Sequence, residues 1–159
     1  MQKILSGSGA ALPNKTAISW PSLVAVGRVL LSVIFVVSGF NKILQFSSMT
    51  EVIAGQGLPV PGLFLTVAMV LEIVGGLSLL TGTFARFGAV LPLVFLIPVT
   101  FIMHDFWTFE GAARQTQMAN FLKNIALMGA MFMVVGAGAG AASVDRRVQE
   151  RISRPPPPQ

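Results

Sequence analysis

The sequence predicts an all-α integral membrane protein, a four-helix transmembrane bundle with both the N and C termini in the cytoplasm. Three observations carry that prediction. The 159-residue chain is 53% hydrophobic and only 11% charged, too apolar for a soluble domain built around one core. It holds four apolar runs, each near the ~20 helical residues that a ~30 Å hydrocarbon layer requires. The runs are apolar nearly all round rather than along one stripe, which favours lipid over a soluble helical core.

Residues 1–20 form an N-terminal tail of mixed polar, Gly, Ser and Pro composition. It lacks the charged start, apolar centre and cleavage pattern of a removable signal peptide, so the first span is expected to be an uncleaved anchor. The membrane domain covers 21–142, with spans at Leu23–Leu44, Pro59–Leu80, Phe84–Met103 and Met118–Ala141 joined by short connections. Boundaries read this way carry about two to four residues of latitude. Gly75 and Gly76 in the second span, and the Gly136/Gly140 pair at the end of the fourth, suit close helix approach. Pro92 and Pro98 are expected to bend the third span or weaken its hydrogen bonding. Residues 143–159 form a basic, Pro-rich tail whose last residues, from Arg154 to Gln159, read as extended or disordered.

Basic residues set the orientation. Lys3, Lys15, Arg86, Arg146, Arg147, Arg151 and Arg154 fall on one face of an even-span topology, against Lys42 and Arg114 on the other, and the richer face is expected to be cytoplasmic. The net charge of +5 is therefore a topology signal rather than a nucleic-acid footprint.

Two polar layers interrupt the apolar runs. Glu72 lies mid-span, where an acidic residue costs about 2.5–3.5 kcal/mol and must find a partner. Counting helix rise from the predicted span ends puts Arg28 roughly 9 Å and Glu72 roughly 11 Å from the same boundary. The sequence therefore predicts an intramembrane ion pair, Arg28–Glu72, with Ser32 one turn from Arg28 as a further partner. This pair reads either as a structural clamp or as a proton or substrate site.

The second layer gathers Asn41, Lys42, His104, Asp105, Gln117, Asn120, Lys123 and Asn124 near the opposite boundary, with Trp107 at interface depth. Gln117, Asn120 and Asn124 share a helical face, and Asp105 is the expected counter-charge of Lys123. Lys42, His104, Asp105, Trp107, Gln117, Asn120, Lys123 and Asn124 thus form a candidate ligand cluster for a quinone head group or another amphipathic molecule. The competing account is a belt of aromatic and polar residues at helix ends.

Composition excludes several chemistries. Cys is absent and His104 is the single histidine, which removes disulfides, thiolate metal sites, Cys-ligated clusters and a bis-histidine haem within one protomer. One His beside one Asp is a poor ligand set, so no metal is expected. Phosphate-binding loops and Ser-His nucleophile arrangements are likewise missing from the sequence. No cofactor is expected to be bound by this chain alone, and any electrons must come from a partner.

Five motifs together resemble the DoxX family: Gly27-Arg28-Val29-Leu30-Leu31, Ser38-Gly39-Phe40-Asn41-Lys42, Glu72-Ile73-Val74-Gly75-Gly76, His104-Asp105-Phe106-Trp107 and Phe121-Leu122-Lys123-Asn124-Ile125-Ala126. The resemblance covers roughly residues 22–142. It implies a multi-pass inner-membrane protein near quinone or redox chemistry, since the family is named for small subunits associated with a terminal quinol oxidase and a thiosulfate:quinone oxidoreductase. The function expected from residues and resemblance is an accessory or anchor subunit of a quinone-linked oxidoreductase complex, not catalytic alone. Its expected partners are the bilayer, oxidoreductase subunits and further copies of itself. The alternative is a small proton-coupled carrier working through Arg28 and Glu72.

Overall fold

The computed structural model describes residues 20–153 and is all-helical over that range. Seven elements follow in order: α1 Trp20–Leu44, α2 Phe46–Gly55, α3 Pro61–Thr81, α4 Ala85–Met103, a 3-10 turn Phe106–Thr108, α5 Gly111–Ala137 and α6 Val144–Ile152. Four segments are long and apolar enough to cross a membrane: Ser22–Leu44, Pro61–Thr81, Ala85–Thr108 and Gly111–Ala137. Large apolar side chains such as Leu30, Val70, Phe101 and Phe132 point outward along them. Lipid takes the place that a second layer would hold in a soluble fold.

Local chemistry sets the span ends. Pro61 opens α3 at the first helical turn, where its missing N–H costs no hydrogen bond. Gly82, at φ 70°, closes α3 with its N–H donated to Ser78 O, and Gly138, at φ 80°, closes α5 in the same way on Val134 O. α4 runs unbroken through Pro92 and Pro98, so neither proline ends it.

Successive spans pack side by side, α1 on α3, α3 on α4 and α4 on α5. Phe35 of α1, Leu79 of α3, Ala89, Leu93 and Leu96 of α4, and Met128 and Met131 of α5 make the central apolar cluster. Glycines permit the close approaches. A Cβ on Gly76 would lie 2.8 Å from Val36 Cγ2, one on Gly75 would lie 2.5 Å from Pro92 Cδ, and one on Gly88 would collide with Ser78. The packing role expected of Gly75 and Gly76 holds; that of Gly136 does not, and Gly140 permits a close approach, an added Cβ lying 2.9 Å from Val24 Cγ1 of α1, but from a loop rather than from within the fourth span. Gly136 faces open space, and Gly140 sits in the loop after α5, at φ 77°.

The largest departure from the sequence reading is register. Reading the first two spans as level at Leu44 and Pro59 omits α2, which packs against α3 and lets it begin farther out than α1 ends. Gly39 faces Ile73 and Gly76 faces Val36, so Leu44 is level with a residue about seven positions inside α3, an offset of roughly 10 Å. The fourth span also begins earlier than Met118 and ends before Ala141. The region read as a basic tail contains α6, whose Ser143 N-cap accepts a hydrogen bond from Arg146 N. The start of α1, the α3–α4 turn and the start of α6 meet at one end of the molecule, called here the terminal face. The tail readings for residues 1–19 and 154–159 lie outside the described residues.

Candidate functional site

Arg28 and Glu72 are both buried, but they do not meet. The facing pair Gly39/Ile73 puts Glu72 level with Phe40, and Arg28 lies about twelve residues, or roughly 18 Å, farther along α1. Arg28 reaches the C-terminal end of α3 instead. Its Nη1 donates to Leu79 O and to Leu80 O at 3.1 Å, and its Nη2 donates to Ala142 O at 2.9 Å. These are carbonyls that the end of α3 and the loop between α5 and α6 leave without intrahelical partners, and a guanidinium supplies several donors in one plane. The Arg28–Glu72 ion pair is therefore replaced by a backbone cap. Ser32 does not assist it, because its hydroxyl donates to Val29 O at 2.7 Å.

Glu72 is held from α1 by side chains. Lys42 Nζ lies 2.8 Å from Glu72 Oε2, and Ser38 Oγ donates to Glu72 Oε1 at 3.1 Å. Lys42 also donates to Ser38 Oγ at 2.7 Å and stands 5.5 Å from the centroid of the Phe95 ring on α4. Ser38 and Lys42 are one helical turn apart, so both project toward the same point on α3. The result is a closed triangle of ammonium, hydroxyl and carboxylate with an aromatic floor. The Lys42 side chain keeps 16% of its accessible surface against 4% for Glu72, so the cation is the exposed member.

That exposure opens along α1. A groove of about 540 Å³ runs beside Val37, Ser38, Asn41, Lys42, Gln45 and Met49. It joins the polar triangle to the lipid-facing side of the helix, with amides at one end and apolar side chains along its length.

The predicted outer layer divides rather than converging. Lys42 leaves it for Glu72. His104 Nδ1 pairs with Gln117 Oε1 at 2.8 Å, linking α4 to α5. Asp105 is not the partner of Lys123: its Oδ2 accepts from Thr108 Oγ1 at 3.0 Å, while Lys123 is exposed and donates to Asn120 Oδ1 at 3.0 Å. One turn of helix separates Asn120 from Lys123, so the local contact wins over reaching across. Asn124 is buried on the same helix. Trp107 joins an edge-to-face cluster with Phe106 and Phe121, and Phe101 packs on Phe121 at 5.5 Å. This end is a mostly aromatic closure with one His–Gln link.

Ser38 and Phe95 are the residues that sequence reasoning passed over. Ser38 had a signal, its i, i+4 spacing to Lys42; Phe95 had none, because only tertiary packing brings it under the ammonium.

Residues 23–105 match the family model described as DoxX. Among curated relatives, the Escherichia coli (strain K12) protein named "Inner membrane protein YphA" is 33% identical over 127 residues, covering 80% of this chain and 91% of the relative. The "Inner membrane protein YqjF" of the same organism is 28% identical over 128 residues, covering 80% and 93%. No solved structure matches the chain.

Proposed function

Because the chain belongs to the DoxX family and is a multi-pass inner-membrane protein, we propose that it serves as an accessory membrane subunit of a quinone-linked oxidoreductase complex. Ser38, Lys42 and Glu72 are its contact for the ligand head group. The observation that carries this reading is the Lys42–Glu72 pair, its carboxylate buried and its ammonium partly exposed, at the head of an open groove on α1.

The chemistry suits a quinone. A quinone carbonyl accepts hydrogen bonds, and the Lys42 ammonium and Ser38 hydroxyl are donors that already point at one place. Reduction of a quinone to a hydroquinone takes up two electrons and two protons; Lys42 and Glu72 can relay protons, and the electrons come from a partner subunit. The chain contains no cysteine and one histidine, so its own side chains offer no electron-carrying centre. His104, Gln117 and Trp107 then belong to the structural closure rather than to the ligand contact.

Purification of the full chain from its native membrane in mild detergent tests the proposal. An oxidoreductase should copurify, and extracted quinone should fall with Lys42→Met while the protein stays folded. A chain that purifies alone and carries no quinone contradicts it.

A second reading, a small proton-coupled carrier, has its own observation: Glu72, midway along α3, is joined to Lys42 in the last turn of α1 rather than to Arg28. Proton flux in reconstituted vesicles that Glu72→Gln leaves unchanged removes the carboxylate from any such mechanism.

A further inference from the structure

The terminal face carries a second polar surface, far from the Lys42–Glu72 pair. We propose that it binds the head group of an anionic phospholipid in the adjoining leaflet. An open pocket of about 700 Å³ lies between the start of α4 and the loop after α5, with Phe84, Arg86, Phe87, Gly138, Gly140 and Arg146 on its walls. Arg86 and Arg146 face the same space, Arg86 without an acidic partner among the described residues and Arg146 paired with Glu150. The loop wall carries only small residues, Ala137 to Ala141 and Ser143, and a Cβ on Gly138, at φ 80°, would stand 3.2 Å from Arg86 Nε.

The acidic residues nearby are already occupied. Asp145 also borders the pocket, but its two oxygens accept the N–H groups of Phe84 at 2.8 Å and Ala85 at 3.1 Å, capping the positive end of α4. Glu150 is held by Arg146 Nε at 2.8 Å. Among the described residues the ion pairs are Lys42–Glu72 and Arg146–Glu150, so Arg86, Arg147 and Arg151 have no acidic partner. Arg86 Nη2 makes a 3.3 Å contact to Gly136 O, which aims the guanidinium across the pocket without neutralising it.

The surrounding surface is apolar in the way a lipid requires and a soluble anion does not. Phe84 and Phe87 are 76% and 66% exposed beside the arginines. On α6, Val144, Val148 and Ile152 recur every fourth residue and are exposed, while Arg147 and Arg151 share the same short helix. A basic amphipathic helix of this kind lies in the interfacial plane, with its apolar row among acyl chains and its arginines among phosphates. Unpaired guanidinium groups favour a net negative head group over a zwitterionic one, whose cation they repel.

Native mass spectrometry of the full chain, with phosphatidylglycerol or phosphatidylcholine of identical acyl chains added to the detergent, tests this. The wild type should retain phosphatidylglycerol preferentially. Arg86→Gln should lower that retention roughly fivefold, and Arg147→Gln with Arg151→Gln by about the same factor for each residue removed. The α6 variant touches no backbone cap, so its result stands even where Arg86→Gln weakens folding. Equal retention of the two lipids by the wild type, or retention unaffected by the α6 substitutions, overturns the proposal. Equal competition by inorganic phosphate at the same concentration also overturns it, because the site would then serve a soluble anion.

Discussion

Arg28 and Glu72 are buried to nearly the same degree, 4% and 3% exposed, yet the protein solves them in opposite ways. Arg28 is anchored to main chain at a helix end; Glu72 is anchored to side chains at mid-span. The difference follows from where a membrane helix has unused backbone groups. Carbonyls are free only in the last turn, so a cation there finds acceptors fixed by the fold. In mid-span every N–H is committed to its own helix, so a carboxylate must recruit donors from a neighbour, and Lys42 and Ser38 supply them. A cap of the first kind is part of the architecture. A triangle of side chains beside a groove can exchange one member for a ligand.

Six variants press on that contrast. The largest effect is expected for Arg28→Met, which strips Leu79 O, Leu80 O and Ala142 O of their donor. Each buried carbonyl left unsatisfied costs about 1–3 kcal/mol, so the variant should lose most of its folded yield in detergent. Arg28→Lys should recover only part of it, since an ammonium lacks the planar fork.

Gly88→Ala comes next. Its Cβ would meet Ser78, and overpacking of this kind costs about 1–3 kcal/mol, whereas Gly136→Ala, which meets nothing, should fall within about 0.5 kcal/mol of wild type. Thermal unfolding of the two purified variants measures the pair. Asp145→Ala removes the cap on Phe84 and Ala85 and should cost about 1 kcal/mol in the same assay. The smallest stability change is expected for Lys42→Met combined with Glu72→Gln, because removing both members of a buried pair is often close to neutral. That double variant should keep its thermal midpoint near wild type and lose the quinone recovered on extraction.

The four spans were legible in the sequence because hydropathy reports burial in lipid directly, and their bounds shifted by only a few residues except at the start of the fourth. There the early turns carry Arg114, Gln115, Thr116 and Gln117, and polarity hid a helix that continues beyond the apolar run. The site was less legible. Both charged residues and Lys42 stood out by type, but their pairing depends on the offset of α1 and α3. α2 sets that offset, and its Ser47, Ser48, Thr50 and Glu51 read as a loop. α6 was hidden for a related reason: nine residues rich in arginine look like a tail until Asp145 and Ser143 fasten its first turn.

The central claim is that Glu72 belongs to Lys42 and not to Arg28. A double-mutant cycle in thermal or denaturant unfolding tests it most directly, using Glu72→Gln with Lys42→Met and, separately, Glu72→Gln with Arg28→Lys, which keeps part of the folded yield. The Lys42 cycle should show a coupling of about 1–3 kcal/mol, and the Arg28 cycle should be additive within about 0.5 kcal/mol. Strong coupling to Arg28 with additivity at Lys42 would contradict the account.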